Sequence, residues 1–181
     1  FQGFTPQHNW GALFGLKLPT GIHKLTGTSK DNTALGPVAI DRGLQPGTGT
    51  TDLILGFYYT EAMNKNWDYL SEGIYQTALN SSDRYKPGDG FNLNLGLRYV
   101  GIESVIPQIQ LNSRFVQHDT GANADTLSTG GTLVYLSPGL VIPTGSRAEI
   151  YTFVQVPIYQ YLQGVQLVPM WTGSFGARYV F

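Results

Sequence analysis

Residues 91–99 read Phe-Asn-Leu-Asn-Leu-Gly-Leu-Arg-Tyr, and apolar side chains occupy every second position from Phe91 to Tyr99. A period of two places successive side chains on opposite faces of a β-strand, so one face of this segment is apolar and the other is polar. Residues 107–115 and 170–181 alternate in the same way, and the polar face of each carries an arginine. These three segments predict strands with two different faces, each about ten residues long.

Five further segments complete a set of eight predicted strands. They cover residues 10–18, 52–60, 67–80, 132–142 and 149–159. In the last of these segments one predicted face is apolar and the other is polar or aromatic. The apolar face has Ile150, Val154, Val156 and Ile158, and the opposite face has Glu149, Tyr151, Gln155 and Tyr159. Eight such strands predict an all-β fold.

The connections between the predicted strands alternate between long and short. The long ones are residues 19–51, 81–90, 117–131 and 160–169, and the short ones are residues 61–66, 101–104 and 143–147. Long external loops and short periplasmic turns, with both chain ends on the periplasmic side, are typical of transmembrane β-barrels. The sequence therefore predicts an antiparallel up-and-down β-barrel in a Gram-negative outer membrane, with at least eight strands.

The composition agrees with this prediction. With 23 glycines and 10 prolines among 181 residues, the chain is poorly suited to a helix bundle. Charged residues are 13% of the chain, against about 25% in soluble domains, which is little charge for a surface in water. The near balance of 11 basic and 12 acidic residues excludes the electrostatic footprint of a nucleic-acid-binding protein.

Aromatic residues provide an independent check because they lie near the ends of the apolar faces. Phe91 and Tyr99 are eight residues apart, as are Trp171 and Tyr179, which corresponds to about 20 Å along the axis of a tilted barrel. An apolar band about 25 Å tall with an aromatic girdle at each rim predicts such a spacing. The expected periplasmic girdle is Trp10, Tyr59, Trp67, Tyr69, Tyr99 and Tyr179, and the outer one is Phe91, Phe115 and Trp171.

A soluble antiparallel barrel or sandwich is the alternative to a membrane barrel. Its apolar face would be the core, so large aromatic side chains would fill the interior and Asn and Gln would cover the outside. The scarcity of charge favours the membrane barrel.

If the apolar face contacts lipid, the opposite face lines a charge-balanced lumen. Strand order predicts ion pairs between Lys17 and Asp52, between Arg98 and either Asp68 or Glu72, and between Glu149 and Arg178, and it leaves Arg114 without a neighbour. In an eight-stranded barrel these side chains would fill the lumen as a plug, whereas in a wider barrel they would line a permeation path. The expected lining residues are Lys17, Asp52, Asp68, Glu72, Arg98, Gln110, Arg114, Glu149, Gln155 and Arg178.

Several segments resemble known outer-membrane sequences. Residues 174–181 (Ser-Phe-Gly-Ala-Arg-Tyr-Val-Phe), ending in Phe181, resemble the terminal strand that the bacterial outer-membrane assembly machinery recognises. Residues 15–21 (Gly-Leu-Lys-Leu-Pro-Thr-Gly), 44–52 (Leu-Gln-Pro-Gly-Thr-Gly-Thr-Thr-Asp) and 135–140 (Tyr-Leu-Ser-Pro-Gly-Leu) are similar to the outer-membrane β-barrel family associated with the phenol meta-degradation pathway, the MetA-pathway proteins.

This resemblance implies an outer-membrane protein that passes small or hydrophobic compounds. Members of that family have about twelve strands, with further strands before the segment that matches residues 15–21. The chain is therefore expected to be either an eight-stranded relative or the C-terminal part of a larger barrel.

Two other features carry narrower expectations. Residues 1–3 resemble the remnant of a cleavable tag, which leaves residues 4–181 as one barrel domain. The apolar stretch at residues 34–40, inside the long connection 19–51, is expected either to fold inward as a constriction or to remain an exposed loop.

Chemistry of other kinds is not expected. His118 and Asp119 precede Ser128 and follow Ser113, which brings a nucleophile, a base and an acid close in sequence, but Ser and Asp are common in loops and no enzyme is predicted. Three scattered histidines and no cysteine form no recognisable metal motif, and no cofactor is expected.

The predicted function is an outer-membrane channel, a porin-like protein for passive uptake of small hydrophobic or aromatic compounds. The alternative is a non-conducting structural or adhesive barrel with a plugged polar lumen and binding outer loops. The expected partners are the lipid bilayer, the assembly machinery and small apolar solutes, with no nucleic acid.

Overall fold

The structure is a computed structural model that describes residues 8–28 and 36–180. Within those ranges the only helical element is a three-residue 3-10 helix, Arg42–Leu44. No helix in the described residues is long and apolar enough to cross a membrane. The strands are β1 (His8–Lys17), β2 (Thr26–Gly27), β3 (Val38–Ala39), β4 (Asp52–Asn64), β5 (Trp67–Ala78), β6 (Gly90–Tyr99), β7 (Ile106–Val116), β8 (Gly131–Pro143), β9 (Ala148–Leu162) and β10 (Thr172–Tyr179).

The eight long strands form one antiparallel sheet in which sequence neighbours are also spatial neighbours. Its order is β1-β4-β5-β6-β7-β8-β9-β10, while β2 and β3 form a separate two-stranded ribbon inside the long first connection. This arrangement confirms the predicted all-β, up-and-down antiparallel fold. In the described part of the chain β1 and β10 are the two edge strands, and no ladder between them is found.

The first short connection is shorter than predicted. We expected residues 61–66 to form the turn, but β4 continues to Asn64, and only residues 65–66 connect it to β5. Glu61 pairs with Tyr69 across this hairpin, so a charged side chain near the strand end interrupts the apolar pattern without interrupting the ladder. The predicted strand over residues 67–80 likewise ends early, at Ala78.

The last strand is shorter than predicted, and one predicted orientation is wrong. β10 covers Thr172–Tyr179 rather than residues 170–181, and Phe181, like residues 1–3, lies outside the described residues. In β9, a β-bulge opposite Val134 and Tyr135 shifts the register, so Tyr159 pairs with Val134 of the apolar face instead of facing the polar side. An extra residue in one strand reverses the face of everything beyond it.

The polar face of the sheet is its concave face. The Gln155 Nε2 atom on β9 donates a hydrogen bond of 3.3 Å to Asn112 Oδ1 on β7, reaching across the intervening strand β8. Ser137 on the intervening strand is small, and its hydroxyl donates to the same oxygen of Asn112. Among the described residues only Ala78, Tyr85 and Val141 are buried hydrophobic residues, so the apolar side chains do not form a conventional core.

Candidate functional site

Three ion pairs lie on the polar face, each between adjacent strands. Lys17 Nζ is 2.7 Å from Asp52 Oδ2 at the end of the sheet where the long connections lie. Arg98 Nη2 is 2.6 Å from Asp68 Oδ2, and Arg178 Nε is 3.2 Å from Glu149 Oε1; both pairs lie towards the opposite end. The strand order predicted all three contacts, and the structure selects Asp68 over Glu72 as the partner of Arg98.

A chain of amide hydrogen bonds crosses the middle of the polar face, centred on Asn112. The Asn112 Nδ2 group donates to Asn94 Oδ1 at 3.0 Å and to Gln110 Oε1 at 3.3 Å, and its Oδ1 accepts from Ser137 and Gln155. These contacts use both donors and both acceptor positions of the amide.

Glu72 extends this chain on β5. Its Oε2 accepts a hydrogen bond of 2.9 Å from Asn94 Nδ2. The residues Glu72, Asn94, Gln110, Asn112, Ser137 and Gln155 together form what we call the amide belt, which spans five adjacent strands from β5 to β9.

Asp52 anchors the polar face just below the long connections. Its carboxylate accepts hydrogen bonds from Thr50 at 2.6 Å and from Gln76 at 2.7 Å, in addition to the contact with Lys17. Asp52 is buried, and Thr50 is buried with it. A buried carboxylate requires such partners, since an unpaired charge away from water is strongly unfavourable.

Solvent reaches much of the remaining polar face. The side chains of Arg98 and Arg178 are 42% and 58% exposed although both are ion-paired. No buried side-chain nitrogen or oxygen within residues 8–28 and 36–180 lacks a hydrogen-bond partner. The polar face is therefore satisfied and hydrated rather than dry and tightly filled.

The opposite face is apolar and exposed. Phe14 on the edge strand β1 is 75% exposed, and Phe175 on the edge strand β10 is 78% exposed. Every long strand between them also has exposed apolar residues. The expected girdle residues that belong to strands lie on this face: Trp10 pairs with Tyr59 and Trp67 with Tyr99 near the short connections, while Phe91 pairs with Phe115 near the long ones. Trp171, which we expected in the outer girdle, precedes β10 and lies exposed in the connection before it. The ring centroids are 5.0 Å apart in the Trp67–Tyr99 pair and 6.2 Å apart in the Phe91–Phe115 pair.

The long connections contact one another at one end of the sheet and form what we call the loop cap, residues 18–28, 36–51, 79–89, 117–130 and 163–171. Asp83 is a centre of this cap. Its carboxylate lies 3.0 Å from Lys24 Nζ, 3.2 Å from Arg42 Nη2 and 3.6 Å from His23 Nε2. Hydrogen bonds from Lys24 and Arg42 hold the pKa of the Asp83 carboxyl below its ordinary value. The first and second long connections are joined through this carboxylate.

Tyr85 joins the second connection to the third. Its side chain is 3% exposed, and its hydroxyl donates a 2.8 Å hydrogen bond to Asp119 Oδ2. The Arg42 guanidinium lies 5.3 Å from the centre of the Tyr85 ring, within cation–π range. Burial, and then the hydrogen bond to Asp119, raise the pKa of the Tyr85 phenol above its ordinary value.

A cavity of about 210 Å³ lies between the polar face and the loop cap. Arg114 on β7 and Asp119 in the third connection are its charged lining residues. Its walls are otherwise apolar or neutral, and they are formed by Val116, Thr129, Gly130, Gly131, Leu133, Leu162 and Gln166. The cavity joins a charged side chain of the polar face to an apolar surface.

The catalytic arrangement considered from sequence is not assembled among the described residues. Ser113 is buried on β7, on the apolar face opposite Leu93 and Val134. The Asp119 carboxylate accepts hydrogen bonds from Tyr85 and from the Gly88 amide at 2.8 Å, so its two oxygens are committed within the cap.

The apolar stretch at residues 34–40 is described only from Gly36 onwards. Val38 and Ala39 pair with Thr26 and Gly27 in the β2–β3 ribbon, and Val38 is exposed. The described part of the stretch does not fold inward as a constriction. Ala34 and Leu35 lie outside the described residues.

Sequence reasoning missed the residues that organise both regions. Asn112 lies on the polar face of a predicted strand, but three of its four partners, Asn94, Ser137 and Gln155, lie on other strands, and only the folded register brings them to it. Asp83, Tyr85 and Arg42 belong to loops, where no periodicity marks a contact. Asp83 and Arg84 both have positive φ, 53° and 58°, a backbone conformation that non-glycine residues rarely adopt. The structure therefore shows a constrained turn here that the sequence does not signal.

Comparison with known proteins adds no family assignment. No protein-family model matches the chain, and no match is found among the curated proteins. The resemblance to the MetA-pathway outer-membrane family therefore stays a prediction.

Proposed function

We propose that this chain forms an outer-membrane β-barrel channel for passive uptake of small hydrophobic or aromatic compounds. The observation that carries the proposal is the arrangement of the two faces of the sheet. Large apolar side chains are exposed on the convex face, and the polar side chains are collected and hydrogen-bonded on the concave face.

This arrangement fits a lipid environment and does not fit water. Soluble monomers rarely expose apolar patches larger than a few hundred Å². Burying each large side chain away from water is worth about 1.5–3 kcal/mol, and a lipid bilayer supplies that burial on the outside of a barrel. The soluble alternative needs the apolar face as its core, and the described apolar residues are not packed in that way.

The chain ends and the assembly partner follow from the same orientation. His8 and Tyr179 lie at the end of the sheet that holds the short connections, so both ends of the described sheet would be periplasmic in such a barrel. In this proposal the C-terminal strand is the segment that the outer-membrane assembly machinery recognises.

The concave face supplies the lining of the proposed channel. Lys17, Asp68, Glu72, Arg98, Glu149 and Arg178 are all placed on it by the register, in balanced numbers of each sign. The amide belt lies midway along the path and is neutral except for Glu72. A constriction lined mainly by amides, between charged ends, favours small solutes without a large net charge.

A second candidate function is a non-conducting barrel whose outer loops bind a partner. The loop cap favours it, because the four long connections are linked by Arg42–Asp83, Tyr85–Asp119 and Gln166–Gly130 contacts over one end of the sheet. If the loop cap keeps these contacts in the membrane, it closes the outer end of the path along the concave face.

The test is to purify the full chain from membranes and reconstitute it in planar bilayers and liposomes. The channel proposal expects detergent-dependent extraction, heat-dependent gel mobility, discrete conductance steps and liposome swelling in small neutral solutes. Membrane insertion without conductance or swelling would favour the second candidate. Full solubility without detergent would refute both.

A matched pair of variants links conductance to the proposed lining. Asn112→Ala removes the centre of the amide belt and is expected to raise single-channel conductance. Asn66→Ala makes the same change in the two-residue turn between β4 and β5, outside the sheet, and is expected to leave conductance unchanged. Equal conductance of both variants and the wild type would contradict a path through the amide belt.

A further inference from the structure

Arg114 differs from the other basic residues of the polar face. Lys17, Arg98 and Arg178 each contact a carboxylate at 3.2 Å or less. Among the described residues Arg114 has no carboxylate partner, and its one hydrogen bond is from Nη1 to Asn92 Oδ1, at 3.4 Å. A guanidinium carries five N–H donors, so most of its hydrogen-bonding capacity remains available for a ligand.

The surroundings of Arg114 are suited to a small amphiphilic molecule. Its side chain lines the 210 Å³ cavity together with the apolar side chains of Val116, Leu133 and Leu162. That volume corresponds to about seven water molecules at about 30 Å³ each, the size of one aromatic ring with a short polar group. The cavity lies below the loop cap, where a solute arriving from the loop side would first meet the polar face.

The other charged group in the cavity is held by hydrogen bonds within the loop cap. Asp119 Oδ2 accepts from the Tyr85 hydroxyl, and Oδ1 accepts from the Gly88 amide. With both carboxylate oxygens held towards the cap, the N–H groups of Arg114 are the free charged donors of the cavity. Arginine binds carboxylates through two parallel hydrogen bonds, which adds geometric selectivity to charge.

We infer that the cavity at Arg114 binds monocarboxylates with a small apolar body, of which a single-ring aromatic carboxylate is the best fit. Arg114 binds the carboxylate, and Val116, Leu133 and Leu162 contact the ring. As the substrate class of the channel, this inference rests on the proposed function, but the binding site itself can be tested without transport.

The probe is benzoate, compared with benzyl alcohol, which has the same ring and no charge. Equilibrium binding is measured on the detergent-solubilised full chain by titration calorimetry. Benzoate is expected to bind about tenfold or more tightly than benzyl alcohol, because a hydrogen bond to a charged group is stronger than one between neutral groups.

Two arginine variants of matched chemistry test the assignment. Arg114→Gln is expected to weaken benzoate binding by about tenfold or more and to leave benzyl alcohol binding unchanged. Arg147→Gln removes the same charge from an exposed turn at the other end of the sheet and is expected to leave both affinities unchanged. Leu133→Trp, which fills the cavity, is expected to abolish binding of both probes.

Each failure has a separate meaning. No benzoate binding by the wild type, equal affinity for the two probes, or unchanged benzoate affinity in Arg114→Gln would overturn the site. Benzoate binding lost in Arg114→Gln, in a protein that shows no conductance, would support the site and refute the channel. Conductance without benzoate binding would leave the channel proposal standing and overturn this one.

Discussion

Replacing Leu95 by arginine is the most direct test of which face of the sheet contacts lipid. Leu95 lies on the apolar face at the centre of β6, four residues from Phe91 and four from Tyr99. Four residues correspond to about 13 Å along the strand and about 10 Å along the axis of a barrel whose strands tilt by about 40°. Leu95 is therefore expected at the midplane of an apolar band about 25 Å tall.

The expected cost follows from that depth. Arginine at the lipid-facing midplane of a membrane barrel costs about 2–4 kcal/mol, which lowers the equilibrium constant for folding by about 30- to 700-fold. In water the same substitution at a half-exposed position would change stability by about 0.5 kcal/mol or less. The flanking residues on this face, Ser71 and Leu111, leave room for the longer side chain, so overpacking contributes little.

The assay is urea unfolding in phospholipid vesicles, followed by the fluorescence of the three tryptophans. Leu167→Arg is the matched control, because Leu167 lies in the loop cap and is almost fully exposed. Leu95→Arg is expected to be at least about 2 kcal/mol less stable than this control in vesicles. Equal stability of the two variants would refute the lipid-facing assignment of the apolar face.

Three further predictions concern the polar face and the loop cap. Asn112→Ala removes four hydrogen bonds and is expected to lower the free energy of unfolding by about 1–3 kcal/mol in urea titrations, whereas Asn9→Ala is expected to have no measurable effect. The raised pKa of Tyr85 means that its contribution to stability is present below the ordinary tyrosine pKa of about 10 and declines as pH rises above it. Ultraviolet difference spectra should show a late-titrating tyrosine component that loses amplitude in Tyr85→Phe. The lowered pKa of Asp83 means that its contribution to stability is present above the unfolded pKa of about 3.9 and is lost as pH falls through the lower folded pKa. Protection of the cap amides from hydrogen exchange, corrected for the intrinsic exchange rate, should therefore fall on acidification in the wild type. In Asp83→Asn this protection should already be low at neutral pH.

The fold was largely predictable because strand periodicity is a local signal. β6, β7 and β10 alternate cleanly, and their faces follow from the sequence alone. The three ion pairs were predictable for a related reason: once strands pair in sequence order, opposite charges at similar depth fall on neighbouring strands. The turn over residues 61–66 was misplaced because Glu61 and Asn64 are polar, and polarity at a strand end resembles a turn.

The candidate site was only partly predictable. Arg114 was recognised as the cation without a neighbour, but the cavity beside it depends on the loop cap. The contacts of the cap join residues far apart in sequence, such as Tyr85 with Asp119, 34 positions away, and Arg42 with Asp83, 41 positions away. Long-range loop contacts leave no period in the sequence, so Tyr85 and Asp83 carried no visible signal. The predicted orientation of Tyr159 was wrong for another reason: a β-bulge changes the register of a strand without changing its composition.

The register of β9 beyond the bulge also determines which side chains border the cavity. Before the bulge, odd-numbered residues such as Gln155 lie on the concave face; beyond it, Gln160 and Leu162 do, and Tyr161 pairs with Thr132 on the convex face. If β9 continued in regular register without the bulge, Tyr159 would pair with Leu133 and Tyr161 with Gly131, which would place both phenol rings on the concave face beside Arg114, where Gln160 and Leu162 now lie. The bulge accommodates one extra residue and thereby keeps both rings on the convex face. Deletion of Ile158 would leave Tyr159 opposite Val134 in a regular ladder, so we expect the faces of residues 159–162, and with them the walls of the cavity, to be unchanged.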